Sequence, residues 1–284
     1  MIAQKVEYAA PNSLDEALHL LAGGAKPLGG GMSLIPMMKL RLAAPEHLVD
    51  LCRLKDLNYL RETAGELHIG ATATHYEVEG SALLRRKCPL LAETAAAIGD
   101  VQVRNVGTVG GSVAHADPAA DYPAALQALE AKFVLRGTNS ERTVSAADFF
   151  LDAFTTSLEP GEIIREVIVP IDDTHTGTSY QKMPQTASGF AIVGVAARVR
   201  QNAGKISFVR IGVTGLSNLP YRATACEKAL EGKSASPMEI QSAAALVLKG
   251  VDANSDLHAS ADYRRHLAMV HAVRALQTAL SRIA

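Results

Sequence analysis

Three consecutive glycines, Gly29, Gly30 and Gly31, followed by Met32, Ser33 and Leu34, leave main-chain amides uncovered by side chains and permit positive φ. Those are the two properties a loop needs if a pyrophosphate is to approach and be held by backbone N–H groups. If the segment from Leu34 is helical, its N-terminus adds roughly half a positive charge, and Ser33 adds a hydroxyl. A triple glycine also serves as a plain tight turn, and this one matches neither G-x-G-x-x-G nor the P-loop pattern. About eighty residues further on the same chemistry recurs, with Thr108, Val109, Gly110, Gly111 and Ser112 setting two hydroxyls beside glycine amides. Two separate glycine loops suit one long, two-ended ligand.

Other constellations carry less. His115, Asp117 and Asp121 offer nitrogen and carboxylate ligands at close spacing, but Pro118 prevents one helical face from presenting all three, so no metal site is assigned. A turn or cap at Asp117, with Asp121 free for a ligand hydroxyl, is the simpler account. Arg104, just before the second loop, reads as a solvated surface group. No serine or cysteine stands in a G-x-S-x-G elbow, which disfavours hydrolysis. Lys182, close to Tyr180, falls in an expected strand at a domain boundary, where both side chains face an inter-domain cleft unless the lysine is a plain edge-strand residue.

The elements that must position these residues are legible in outline. Ser13 to Glu16 reads as a capping box, and Leu14, Leu18 and Leu21 line one face of a short helix ending at Gly23 and Gly24. His47 to Leu51, Glu66 to Ala73, Phe133 to Leu135 and Ile163 to Val169 read as strands, and Pro89 to Ile98 as a helix. Ala116 to Glu130 begins irregularly and becomes helical after Pro123. Beyond Tyr180 come longer strands, Ala191 to Val199 and Ile206 to Val213, then helices alone. The clearest, Tyr263 to Ile283, carries Leu267, Val270, Val273, Leu276 and Leu280 on one face. A polar run from Asp172 to Thr178 has the composition of a linker, which puts a domain boundary near residue 175.

Composition closes several other routes. A hydrophobic content of 48% over 284 residues is ample for real cores and excludes a disordered or fibrous chain. A net charge of −1 with 5% aromatics and no tryptophan supplies neither the electrostatic footprint nor the stacking platform of a nucleic-acid binder. No stretch approaches the ~20 apolar residues of a membrane span, and the N-terminus lacks a signal-peptide layout, so a cytoplasmic location is expected. Cys52, Cys88 and Cys226 form no C-x-x-C pair and read as small buried hydrophobes, so the chain carries no iron–sulfur cluster of its own.

The run from Lys26 to Leu42 resembles the first flavin loop, A-G-G-x-S-L-I/L-P followed by M-K-x-R-L, of the FAD-binding medium subunits of the molybdenum hydroxylase superfamily. That group includes the carbon monoxide dehydrogenase medium chain and the xanthine dehydrogenase FAD-binding subunit. Gly29 stands where alanine is usual. Arg104 to Asp121 resembles the second loop, T-I/V-G-G-N/S with a downstream D-P-x-x-D. Glu159 to Ile164, Tyr180 to Lys182 and the strands-then-helices order of the C-terminal part also follow the family, so the likeness spans nearly the whole chain.

The resemblance implies an α+β fold. A PCMH-type, vanillyl-alcohol-oxidase-like FAD-binding domain would cover residues 1–175, in subdomains of about 1–55 and 56–175. A C-terminal domain of antiparallel sheet with packed helices, of the CO dehydrogenase flavoprotein type, would cover 176–284. It further implies that Gly29 to Ser33 and Thr108 to Ser112 hold the FAD pyrophosphate, flanked by Lys26 and Leu34. Asp121 would meet flavin-side polar groups, Ile164 and Lys182 would contact the cofactor, and Tyr180 would cover the isoalloxazine ring. Met32 stands in the first loop, which carries no histidine, and His115 lies beyond the second, so the FAD is expected to be non-covalent. Valine at Gly30 or Gly111 is expected to lower flavin occupancy with the fold intact.

The implied partners are a small subunit with 2Fe-2S clusters and a large molybdopterin-molybdenum subunit, assembled as a dimer of heterotrimers. In that assembly the chain passes electrons to an external acceptor and needs no acid–base catalytic residue. Two other readings stand beside it: a stand-alone FAD-dependent oxidase, and a non-catalytic nucleotide-binding assembly module.

Overall fold

The computed structural model describes residues 4–283. Strands β1 (Glu7–Ala9), β2 (Lys26–Leu28) and β3 (His47–Asp50) form a small parallel sheet in the order β1-β3-β2. Parallel neighbours require crossovers, and α1 (Leu14–Ala22) and α2 (Leu34–Lys39) supply them. The triple glycine therefore falls at the carboxyl end of a parallel strand, where open α/β sheets bind ligands. Ser13 caps α1 by accepting the Glu16 amide at 3.2 Å. The Glu16 carboxylate reaches one residue further back than a capping box requires, to the Asn12 amide at 2.9 Å.

The second lobe is a five-stranded antiparallel sheet. It begins with β4 (Leu60–Thr63) and β5 (Glu66–Gly70). Six short helices follow: α3 (His75–Gly80), α4 (Ala82–Lys87), α5 (Pro89–Ala96), α6 (Val101–Val106), α7 (Val109–His115) and α8 (Tyr122–Ala128). They pack on Leu67, Ile69, Phe133, Leu135 and Val167 of the sheet and bury the largest core of the molecule. Next come β6 (Lys132–Arg136), β7 (Glu141–Ser145), the single turn α9 (Ala146–Phe149), the hairpin β8 (Phe150–Asp152) and β9 (Thr155–Thr156), and β10 (Ile163–Pro170). The last returns to the centre, giving the order β4-β5-β10-β6-β7.

Beyond it lies an antiparallel sheet of β11 (Thr176–Pro184), β12 (Ala191–Asn202), β13 (Lys205–Thr214) and β14 (Tyr221–Arg222). The helices α10 (Thr224–Leu230), α11 (Pro237–Ala244) and α12 (Ala261–Ser281) cover one face. The apolar face expected of α12 is rotated: Leu267 and Leu276 are buried, but Val270, Val273 and Leu280 only half so. The buried stripe is instead Ala268, Ala272, Ala275 and Ala279. The reason is close approach, since a Cβ on Gly177 of β11 would lie 1.8 Å from the Ala279 carbonyl oxygen, and only small residues let the axis come so near.

The polar run from Asp172 is not a loose linker. Asp172 is buried, bonded to Arg198 at 2.6 Å and donating its amide to the Lys87 carbonyl at 2.7 Å, while Thr176 to Thr178 are buried inside β11. Cys88 and Cys226 are buried as expected, whereas Cys52 is exposed. No helix among the described residues is long and apolar enough to cross a membrane.

Candidate flavin site

The first loop runs from the end of β2 into α2. Gly31 takes φ +71°, which a side chain would oppose. Among the described residues, the amides of Gly29, Gly30, Gly31, Met32 and Ser33 donate to no acceptor within the chain. Buried backbone donors are rarely left so; here five in succession stand on a partly exposed loop, open to solvent or to a ligand. The Ser33 side chain makes no capping bond to α2, which leaves its hydroxyl free as well. Lys26, at the start of β2, is exposed, and Leu34 opens α2 half-buried.

The second loop is built differently. Thr108 caps α7, its hydroxyl accepting the Gly111 amide at 3.2 Å. Val109 donates to the Ala73 carbonyl at 3.0 Å, Gly110 to the Ala71 carbonyl at 2.8 Å and Ser112 to the Thr108 carbonyl at 3.0 Å. The amides expected to cradle a phosphate here are thus already engaged. Gly110 is glycine because a Cβ would sit 2.5 Å from the Ala71 Cβ, so this residue serves packing. What the loop turns outward is the exposed backbone of Gly111 and the partly exposed Ser112.

The fold brings the two loops into direct contact. A Cβ on Gly29 would lie 2.8 Å from the Thr108 hydroxyl, and one on Gly30 only 1.9 Å from the Val106 carbonyl oxygen. Unpaired amides from one lobe and the capped start of α7 from the other therefore share one rim.

Asp121, expected free for a ligand, is not. It is buried, accepts the Tyr180 hydroxyl at 2.6 Å, and lies 2.9 Å from the Lys182 ammonium, which also donates to the Ala97 carbonyl at 2.8 Å. Burial pushes the Asp121 carboxyl up to about 6, opposed by Lys182 and by the tyrosine bond. Tyr180 is likewise no ring cover in this conformation, being 5% exposed with its hydroxyl over Gly194 of β12. Lys182 is an inward anchor rather than a surface lysine, its side chain 6% exposed. Ile164, on β10 against which α7 packs, lies in the core at 3% exposure, so its side chain offers a ligand no surface. Asp117 makes the expected turn, accepting the Ala119 amide at 2.8 Å. Arg104 is tied inward, to Glu79 at 2.8 Å and to the Ile98 carbonyl. Among the described residues no cluster of metal ligands occurs.

Four contributors escaped the sequence. Thr214 of β13 donates to the carbonyls of Pro118 and Ala120 at 2.9 and 2.8 Å, and the amides of Gly215 and Ala191 donate to those of Pro118 and Ala119. The C-terminal sheet thereby clamps the run that leads to Asp121. The fourth is His75, whose ring lies 2.7 Å from where a Gly107 Cβ would stand and 3.2 Å from the Tyr122 hydroxyl. Its amide donates to the Gly107 carbonyl at 2.9 Å. Only the Thr74 capping box hinted at an ordered turn there.

Burial, with Arg104 adding, holds His75 down to about 4 from its ordinary 6.5, so the ring under the second loop is neutral. The charged and titratable groups around it are Tyr122 on α8 and the paired Arg104 and Glu79. A lowered folded pKa means that stability is fully present above 6.5 and is lost as pH falls toward 4, at about 1.4 kcal/mol per pH unit. Asp121 titrates with the opposite sign, its raised pKa favouring the fold on acidification, and contributes alike to wild type and to a His75 variant. We therefore expect His75→Gln to be less stable than wild type at pH 8, with the gap shrinking by about 3 kcal/mol by pH 4. Urea melts across that range measure it, and a constant gap would show that the ring is not held neutral.

A rim of unpaired glycine-loop amides where two lobes meet, with a sheet-and-helix unit packed alongside, defines a protein that binds a phosphate-bearing ligand. The FAD-binding domain of molybdopterin dehydrogenases matches residues 4–172, and the CO dehydrogenase flavoprotein C-terminal domain matches residues 178–279. The carbon monoxide dehydrogenase medium chain of Hydrogenophaga pseudoflava is 39% identical over the whole of both chains. The glyceraldehyde dehydrogenase medium chain of Sulfolobus acidocaldarius is 34% identical over 98% of this chain and 99% of its own. A chain of the solved structure of Hydrogenophaga pseudoflava carbon monoxide dehydrogenase lacking the Mo-pyranopterin moiety superimposes with a TM-score of 0.97, at 41% identity over 100% of both chains. The chain belongs to the FAD-binding medium subunits of the molybdenum hydroxylases, and it is an oxidoreductase subunit with FAD as its cofactor.

Proposed function

We propose that the chain holds FAD non-covalently across the rim where its two glycine loops meet, and relays electrons between partner subunits and an external acceptor. The five consecutive unpaired amides of Gly29 to Ser33 carry this reading, because they present fixed donors to a dianionic pyrophosphate. Lys26 and Leu34 flank that cradle, and Val109 and Gly110 fix α7 so that Thr108, Gly111 and Ser112 reach the same rim. When bound, FAD supplies the capacity to take electrons singly and release them singly or in pairs. Asp121, Tyr180 and Lys182 act beneath the site, joining the C-terminal sheet to the flavin domain. Ile164 supports it through the core.

With no cysteine cluster in the chain, electrons must come from another subunit. The proposed partners are a small 2Fe-2S subunit and a large molybdopterin subunit, in a cytoplasmic dimer of heterotrimers. Substrate is then read by the large subunit, in keeping with relatives named for substrates as different as carbon monoxide and glyceraldehyde.

The test is to express the chain alone and precipitate it with acid. Release of all flavin into the supernatant is expected, and a yellow pellet would overturn non-covalent binding. Tandem purification from the native source should recover an iron–sulfur chain and a molybdopterin chain, and recovery of this chain alone would overturn the assembly. Reduction of the isolated subunit by a small organic substrate would favour the stand-alone oxidase.

A further inference from the structure

On the side of the five-stranded sheet that meets the small parallel lobe lies a cleft of about 630 Å³. It is lined by four cationic side chains, Lys55, Arg61, Arg136 and Arg165, against two acidic ones, Asp56 and Glu141. Even with the buried Glu166, 4.0 Å from Arg61, counted against them, the cations outnumber the carboxylates in a chain whose net charge is −1. Two of the cations are held in place. Arg165 is the extra residue of a β-bulge, falling between Ile164 and Glu166 where β10 pairs with β6, and bulges re-aim side chains. Its guanidinium is further fixed by Glu141 at 2.9 Å. Arg61 stacks 4.3 Å over the Tyr59 ring, and the Tyr59 hydroxyl is anchored at 2.6 Å to the buried Glu166, which His68 also contacts at 3.1 Å. The other two, Lys55 and Arg136, have no acidic partner within 4 Å among the described residues.

We propose that this cleft is a binding site for an oligophosphate anion, separate from the flavin rim. Arginine forks match phosphate oxygens two at a time, which favours phosphate over a simple halide or carboxylate. The three arginines are spread over strands β4, β10 and β6, which with β5 between them span roughly 14 Å at ordinary strand spacing. One orthophosphate cannot reach across that width; a chain of phosphates, inorganic or esterified, can. The Tyr59 face is taken by Arg61, so recognition rests on the phosphates and not on a stacked base. Such a ligand would tie Lys55 in the segment after the small lobe to strands of the second lobe.

The test is calorimetric titration of the flavin-loaded protein, in which FAD keeps the glycine loops occupied, with tripolyphosphate, ATP and orthophosphate at matched ionic strength. Saturable one-to-one binding of tripolyphosphate is expected, at least about tenfold tighter than orthophosphate. ATP should bind within about threefold of tripolyphosphate, since only its phosphates are read. Arg136→Gln, which breaks no ion pair, should weaken tripolyphosphate about tenfold with flavin content and melting temperature unchanged. Arg165→Gln should do the same at some loss of stability. Equal binding of orthophosphate, far tighter binding of ATP, or wild-type affinity in both variants would overturn the assignment.

Discussion

Gly30→Ala is expected to yield a protein that is destabilised and nearly free of flavin. The added Cβ would stand 1.9 Å from the Val106 carbonyl oxygen, 2.6 Å from its carbon and 2.7 Å from the Gly107 Cα. All three are backbone atoms, so no flexible side chain can move aside, and the loops must separate. Overpacking of this kind costs about 2–3 kcal/mol, roughly 3–6 °C in melting temperature for a chain of this size. Parting the loops also pulls the unpaired amides of Gly29 to Ser33 away from the start of α7, so flavin occupancy should fall with stability. Gly111→Ala is the contrasting variant: its Cβ meets only the Thr108 hydroxyl, at 2.8 Å, on an exposed residue. It should lose the cap bond, about 1 kcal/mol, stay folded, and show a selective drop in flavin. Thermal melts and the flavin-to-protein absorbance ratio of the two variants decide the matter. Full stability with full flavin in Gly30→Ala would mean that the loop contact does not matter.

That contrast also separates what the sequence reveals from what it hides. Glycine types and hydroxyl neighbours disclose that two loops accept close approach, but not of what. At Gly30 the approaching group is the protein's own backbone at Val106, at Gly110 it is Ala71, and only at Gly111 does the open side face outward. Free amides are legible as a possibility at both loops and real at one, because whether Val109 and Gly110 find acceptors depends on Ala73 and Ala71 on the neighbouring strand end. Strand and helix order survived because alternation and periodicity are local, whereas the rotated face of α12 was set by how closely alanines and Gly177 let helix and sheet approach. Tyr180 and Lys182 were visible as polar residues at a domain boundary, and Asp121 as a carboxylate free for a ligand hydroxyl. Their mutual bonds join positions about sixty residues apart, which no spacing rule encodes. His75 and Thr214 had no signal beyond a nearby cap and a strand end.

Lys182→Met should be the costliest single substitution outside the glycine loops. Lys182 and Asp121 are a buried pair, with side chains 6% and 4% exposed, and the ammonium is the only cation bonded to that carboxylate among the described residues. Removing one partner of such a pair strands a charge in a low dielectric and costs about 3–5 kcal/mol, whereas removing both together is far milder. Asp121→Asn with Lys182→Met should therefore be more stable than Lys182→Met alone, a coupling that denaturant melts read directly. The pH dependence gives a second sign to check. The Asp121 carboxyl, already pushed up to about 6 by burial, loses its main opposing influence when the lysine goes and must rise further. A group whose folded pKa is raised contributes stability at low pH and loses it as pH climbs through that pKa. The deficit of Lys182→Met should accordingly be larger at pH 8 than at pH 5, while the double variant shows no such trend. A deficit below about 1 kcal/mol, equal at both pH values, would mean that Asp121 finds other support and that the C-terminal sheet is not fastened to the flavin domain through this pair.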